Sequence, residues 1–78
     1  MNTKGIQTLF KKTAKEEGLH FKGRIPSVRA FQEGTITFVF VNGQYNKFGW
    51  AKRTKGEEPN SRLGYEIAIK RLVRGMVR

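Results

Sequence analysis

The chain has no cysteine and no aspartate, and only one histidine, one tryptophan and two prolines in 78 residues. Without cysteine there are neither disulfide staples nor thiolate metal ligands, so the fold must rest on hydrophobic packing in a setting such as the reducing cytoplasm. A lone His20 cannot build a zinc centre, and no cofactor is expected. The longest apolar run, Phe38 to Val41, falls far short of the roughly 20 residues that cross a bilayer. Met1 to Gly5 opens no apolar stretch of the kind a secretory signal uses. Gly5, Gly18, Gly23 and Gly34 stand apart from one another, so they form no glycine-rich phosphate loop.

Negative charge is equally scarce. Six glutamates face sixteen lysines and arginines, giving a net charge of +10 that is spread along the chain rather than gathered in a tail. Such a field predicts attraction to phosphate backbones, anionic lipid or acidic proteins, and nucleic acid, DNA or RNA, is the first expectation. The length allows one small basic domain, residues 1–78, burying somewhat over ~60% of its unfolded surface and too small for a large enclosed active site. Six Phe, two Tyr and one Trp argue against a disordered basic tail.

From Thr3 to Glu17, Ile6, Leu9, Phe10 and Ala14 recur at helical spacing, with Lys11, Lys12, Lys15 and Glu16 off that stripe. Gly18 stands where a left-handed residue would end the helix. His20 to Ser27 reads as a connector, and Val28 to Phe31 as a short strand closed by a turn at Gln32-Glu33-Gly34. Thr35 to Val41 is the strongest strand signal, every residue being β-branched or aromatic. Asn42-Gly43 fits a type I′ turn, so Gln44 to Arg53 should return antiparallel.

A strict two-residue register puts Phe40 opposite Tyr45, Phe38 opposite Lys47 and Ile36 opposite Gly49, with Thr37, Val39, Phe48 and Trp50 on the other side. Neither side is cleanly polar, which leaves open the face that meets the helices, and a bulge near Asn46 would invert half of the assignment. Thr54 to Pro59 reads as a polar loop, after which Asn60 or Ser61 can cap a helix running to about Val77. Tyr65, Ala68, Ile69, Leu72, Val73 and Met76 share its apolar face, while Leu63 and Ile67 fall between that face and a far stripe of Lys70, Arg71, Arg74 and Arg78. The expected fold is α+β in α-β-β-β-α order, a three-stranded antiparallel sheet with both helices on one face.

The pattern Gly49-x-Ala51-Lys52-Arg53, a short acidic loop and then Gly64-x-Glu66-Ile67-Ala68-x-x-Arg71 resembles small uncharacterised phage and bacterial proteins with a double-stranded-RNA-binding-domain-like fold. The likeness covers about the last thirty residues. It is similar, more distantly, to the double-stranded-RNA-binding domain itself, whose last helix places packing residues where Gly64, Ala68, Ile69, Leu72 and Val73 stand. The resemblance implies the same element order, and a host cytoplasm if the chain is phage-encoded. The chain departs from that family at the second helix, where Arg62 alone matches the phosphate-bridging lysines, Ser61 and Tyr65 taking the other places. The glycine-proline-histidine turn is also missing, Arg24 to Val28 being the nearest segment.

The first candidate phosphate contacts are Lys52, Arg53, Lys55 and Arg62, followed by Lys11, Lys12 and Lys15 on the first helix and Lys70, Arg71 and Arg74 on the second. If five such cations touch a duplex, log affinity should fall against log salt with slope about −4.5. Each alone is better read as a solvated cation, and only the set as a whole points to a polyanion; Glu66 can be i,i+4 support for Lys70, and Arg71 a partner of Glu57 or Glu58. Trp50, Phe48 and Tyr45 interleave with Lys47, Lys52 and Arg53, an arrangement able to stack single-stranded bases, although core packing is the ordinary reading of Trp50 and Phe48. Glu57-Glu58 is an adjacent loop pair rather than two converging carboxylates, and His20 has no evident nucleophile to activate, so no catalysis is expected. The expected function is non-catalytic nucleic-acid binding through phosphates with little sequence readout. The competing expectation is a small phage-type protein that docks on and modulates an acidic host protein. Membrane docking lacks an apolar helix face with aromatic anchors.

Overall fold

The computed structural model describes residues 3–52 and 62–77, apart from the side chain of Tyr45. Helix α1 (Thr3–Glu16) is followed by strands β1 (Val28–Glu33), β2 (Ile36–Val41) and β3 (Gln44–Lys52) and by helix α2 (Arg62–Met76). The strands form one antiparallel sheet in the order β1-β2-β3, and the chain is an α+β fold in the α-β-β-β-α order that its periodicities predict. The expected loop at Thr54 to Pro59, the cap at Asn60 or Ser61, and Arg53, Lys55, Glu57, Glu58 and Arg78 lie outside the described residues.

Local chemistry sets the boundaries of these elements. At the end of α1 the Leu19 amide donates to the Ala14 carbonyl (2.8 Å) and the Gly18 amide to that of Lys15 (3.2 Å), with Gly18 at φ 77°. This is a Schellman closure, which needs a left-handed residue at that position and lets Leu19 fold back onto the core. The β1–β2 turn contracts to Gly34-Thr35, because β1 continues through Gln32 and Glu33 to pair with Thr37 and Ile36. Asn42-Gly43 joins β2 to β3 with Val41 opposite Gln44, as the two-residue turn requires.

Both helices lie on one side of the sheet, α1 against β1 and α2 across β2 and β3. Ile6, Leu9, Phe10 and Ala14 of α1 meet Tyr65, Ala68, Ile69, Leu72 and Val73 of α2 over Val28, Val39, Val41 and Ala51. On β3 the inward residues are small. A methyl group on Gly49 would fall on the Ala68 carbonyl oxygen and within 2.6 Å of the Leu72 nitrogen, so the backbone of α2 rests directly on the strand. The small residues Gly49, Ala51 and Ala68 are thus a close-approach device between β3 and α2.

A side-chain amide ties α1 to the sheet. Gln7 Nε2 donates to the Pro26 carbonyl (3.0 Å), and Gln7 Oε1 accepts from the Val28 amide (2.9 Å). Gln7 therefore acts as a surrogate strand residue at the start of β1.

Candidate nucleic-acid interface

The side of the sheet away from the helices is built by alternation. In β2, Thr37, Val39 and Val41 are buried inward, and Ile36, Phe38 and Phe40 alternate outward. The register with β3 then breaks: Val41 pairs with Gln44, but Phe40 pairs with Phe48, leaving Tyr45, Asn46 and Lys47 in a bulge. An insertion of three residues reverses the parity of everything after it. Phe48 and Trp50 accordingly join Phe38 and Phe40 on the outer face, instead of sharing the opposite face with Thr37 and Val39 as a strict two-residue register predicts.

The correction extends to burial. Phe48 is 51% exposed and Trp50 45%, so neither is the core residue that its bulk suggests. With Phe31 (47%) they complete two rows across the sheet, Arg29–Phe40–Phe48 and Phe31–Phe38–Trp50, followed by a third, Glu33–Ile36–Lys52. The Phe31 and Phe38 rings stack at 5.0 Å and 17°, and Phe40 meets Phe31 edge-on at 6.0 Å and 66°. At the β3 edge, Arg71 reaches round from α2. Its Nη1 donates to the Trp50 carbonyl at 2.7 Å and its guanidinium carbon stands 5.3 Å from the indole centroid. Glu33 is the one acid of the three rows, against Arg29 and Lys52.

Beyond the first row, at the end of the sheet where Val28, Val41 and Gln44 align, the connector and the bulge form a shallow concavity. Lys22 and Arg24 line it together with Lys47 and Gln44, over Leu19, Phe21, Pro26 and Met76 of α2, and no acid is among the described lining residues. Arg29, Lys22 and Arg24 are absent from the candidates drawn from the sequence. The available signals were the Lys22-Gly23-Arg24 pair of cations beside a flexible residue, and the two-residue alternation of Arg29 with Phe31.

The sequence candidates do not share one surface. Lys52 lies on the outer face, while Arg53 and Lys55 fall outside the described residues. Lys12 and Lys70 line a groove between α1 and α2 together with Glu16, Glu66, Leu63 and Ile67. Lys11 and Lys15 border a separate hollow beside His20 and Phe21. Arg62 pairs with Glu66 (3.0 Å), so Glu66 bonds back one turn rather than forward to Lys70. Arg74 pairs with Glu17 across the two helices (3.4 Å). Arg71 serves Trp50, and its suggested acidic partners lie outside the described residues. Apart from Arg71, these helical cations therefore lie behind the sheet and are partly matched by glutamate, whereas the outer face and the concavity at the end of the sheet carry cations in excess among the described residues.

All described lysines and arginines are exposed, and Arg62–Glu66 and Arg74–Glu17 are the ion pairs among the described residues. Among those residues no helix is long and apolar enough to cross a membrane. No protein-family model matches the chain, and neither a curated protein nor a solved structure matches it.

Proposed function

We propose that the chain binds nucleic acid without catalysis, chiefly through phosphate contacts and with little sequence readout. The observation that carries this reading is the excess of exposed lysine and arginine over acid, with two ion pairs among the described residues to offset it. Solubility calls for interspersed charges of both signs, and a surface of nearly one sign incurs self-repulsion that a polyanion relieves. Lys52 and the Lys22, Arg24 and Lys47 concavity are the leading contacts, because among the described residues no glutamate lines the concavity and only Glu33 shares the row of Lys52. The resemblance of the region from Gly49 to Arg71 to small phage and bacterial proteins with a double-stranded-RNA-binding-domain-like fold agrees with the element order and belongs to the same reading. So does a cytoplasmic location, that of the host if the chain is phage-encoded, in keeping with the cysteine-free composition.

The test is an anisotropy titration at two salt concentrations against duplex DNA, duplex RNA and single strands, with affinity purification from lysate before and after nuclease. Binding that weakens steeply with salt supports the reading. A protein partner retained after nuclease, together with no binding to any polynucleotide, would replace it with docking on an acidic protein.

A further inference from the structure

Phe31, Phe38, Phe40, Phe48 and Trp50 form a contiguous aromatic surface on a sheet whose other side already supplies the core. Scattered exposed rings need no explanation, but a connected patch on a small monomer marks a contact surface. We propose that this face stacks the unpaired bases of single-stranded nucleic acid. The inference rests on the nucleic-acid reading above and adds the form of the ligand.

Three observations select this occupant. The first is charge. Arg29 and Lys52 flank the rings, Arg71 stands at the β3 edge, and Glu33 is the only acid in the three rows. A second copy laid face to face would bring these cations against their like, whereas a polyphosphate is complementary to them. The second is spacing. Outward residues of one strand recur roughly every 6.7 Å, about twice the 3.4 Å step of one strand of a duplex. Neighbouring bases on this face are therefore held apart, each facing a ring instead of its neighbour, which a base-paired helix cannot allow. The third is continuity. Lys47, which directly precedes Phe48 in the chain, lines the concavity of Lys22 and Arg24, so a backbone leaving the rings along β3 meets further cations, with no acid among the described lining residues.

Trp50 is the only tryptophan, so its emission reports directly on this face. The full chain is titrated with a 15-nucleotide oligothymidine, its RNA counterpart, an abasic deoxyribose-phosphate strand of equal length and a duplex, under matched salt, with sedimentation giving the oligomeric state. The base-bearing single strands should quench Trp50 and bind more tightly than the abasic strand and the duplex. Phe48→Ala and Phe31→Ala should each weaken that binding roughly five- to a hundredfold, leave abasic binding unchanged and keep the circular dichroism of the parent. Equal affinity for abasic, duplex and base-bearing strands, without quenching, overturns stacking and leaves the nucleic-acid reading standing. No binding to any of the four defeats both. A dimer that Phe31→Ala or Phe48→Ala dissociates, with no oligonucleotide quenching, assigns the face to a second copy and also overturns the proposal.

Discussion

The guanidinium of Arg71 holds Trp50 at two points, by a 2.7 Å hydrogen bond from Nη1 to the Trp50 carbonyl and by the placement of its central carbon 5.3 Å from the indole centroid. One side chain from α2 thus satisfies a carbonyl on β3, the edge strand, and fixes the orientation of a ring on the far side of the sheet. A planar group that both donates and stacks is required, and lysine lacks that geometry. Arg71→Ala should lower stability by about 1 kcal/mol. Arg71→Lys should recover less than half of the loss. Urea unfolding measures both, and red-shifted, more mobile Trp50 emission should accompany each change. Full rescue by lysine would reduce the contact to simple charge.

Gly49 makes a different demand. Alanine has the higher strand propensity, yet at this position its methyl group meets the backbone of α2 at Ala68 and Leu72. Neither partner is a flexible side chain, so the helix must move. Gly49→Ala should cost about 3 kcal/mol through overpacking. For a domain of this size that corresponds to a fall in Tm of more than about 10 °C in a thermal melt. An unchanged or raised Tm would mean that α2 does not rest on the strand.

Gln7 completes the pairing at the beginning of β1 from a helix, by accepting from Val28 and donating to the Pro26 carbonyl. Gln7→Leu keeps the bulk and leaves the Val28 amide without its acceptor. The expected loss is about 1–3 kcal/mol. Hydrogen exchange should show the Val28 amide losing protection ahead of those of Val39 and Val41, and equal protection in the variant would contradict the clasp.

Salt dependence separates the two sides of the molecule. If Lys22, Arg24, Arg29, Lys47 and Lys52 contact a single strand, the slope of log affinity against log salt should be about −3.5. Replacing Arg24 and Lys47 by alanine should bring it to about −2.1 by the same arithmetic. Replacing Lys12 and Lys70, which line the groove between the helices beside Glu16 and Glu66, should leave it unchanged. Fluorescence anisotropy at four salt concentrations distinguishes these outcomes, and a slope altered only by the helical pair would put the phosphates on the helices.

Much of the fold was legible because its elements obey local rules. The stripe of Ile6, Leu9, Phe10 and Ala14 marks α1, Gly18 its end, and Asn42-Gly43 the hairpin. The aromatic face was not legible as a face, for a specific reason. Parity along β3 depends on the three bulged residues between Gln44 and Phe48; the sequence leaves a bulge near Asn46 open as an alternative, and that is what forms, but no compositional signature selects it over the strict register. Size was the better guide than hydrophobicity: Gly49 and Ala51 point to the helices, and Phe48 and Trp50 point away. The cation candidates on the helices followed from periodicity alone, which shows that they are solvent-facing but not which layer they occupy. The concavity of Lys22, Arg24 and Lys47 joins segments more than twenty residues apart, and only tertiary structure brings them together.

The bulge at Tyr45 to Lys47 also divides the evolutionary freedom of the sheet. Gly49, where the backbone of α2 rests on the strand, admits no larger residue unless the helix moves, so drift there is punished at the level of folding. Positions on the reverse carry their rings without supporting the core, and exchanging one ring for another leaves the scaffold intact. Selection can therefore retune the outer surface of this small domain one residue at a time, without compensating changes inside it.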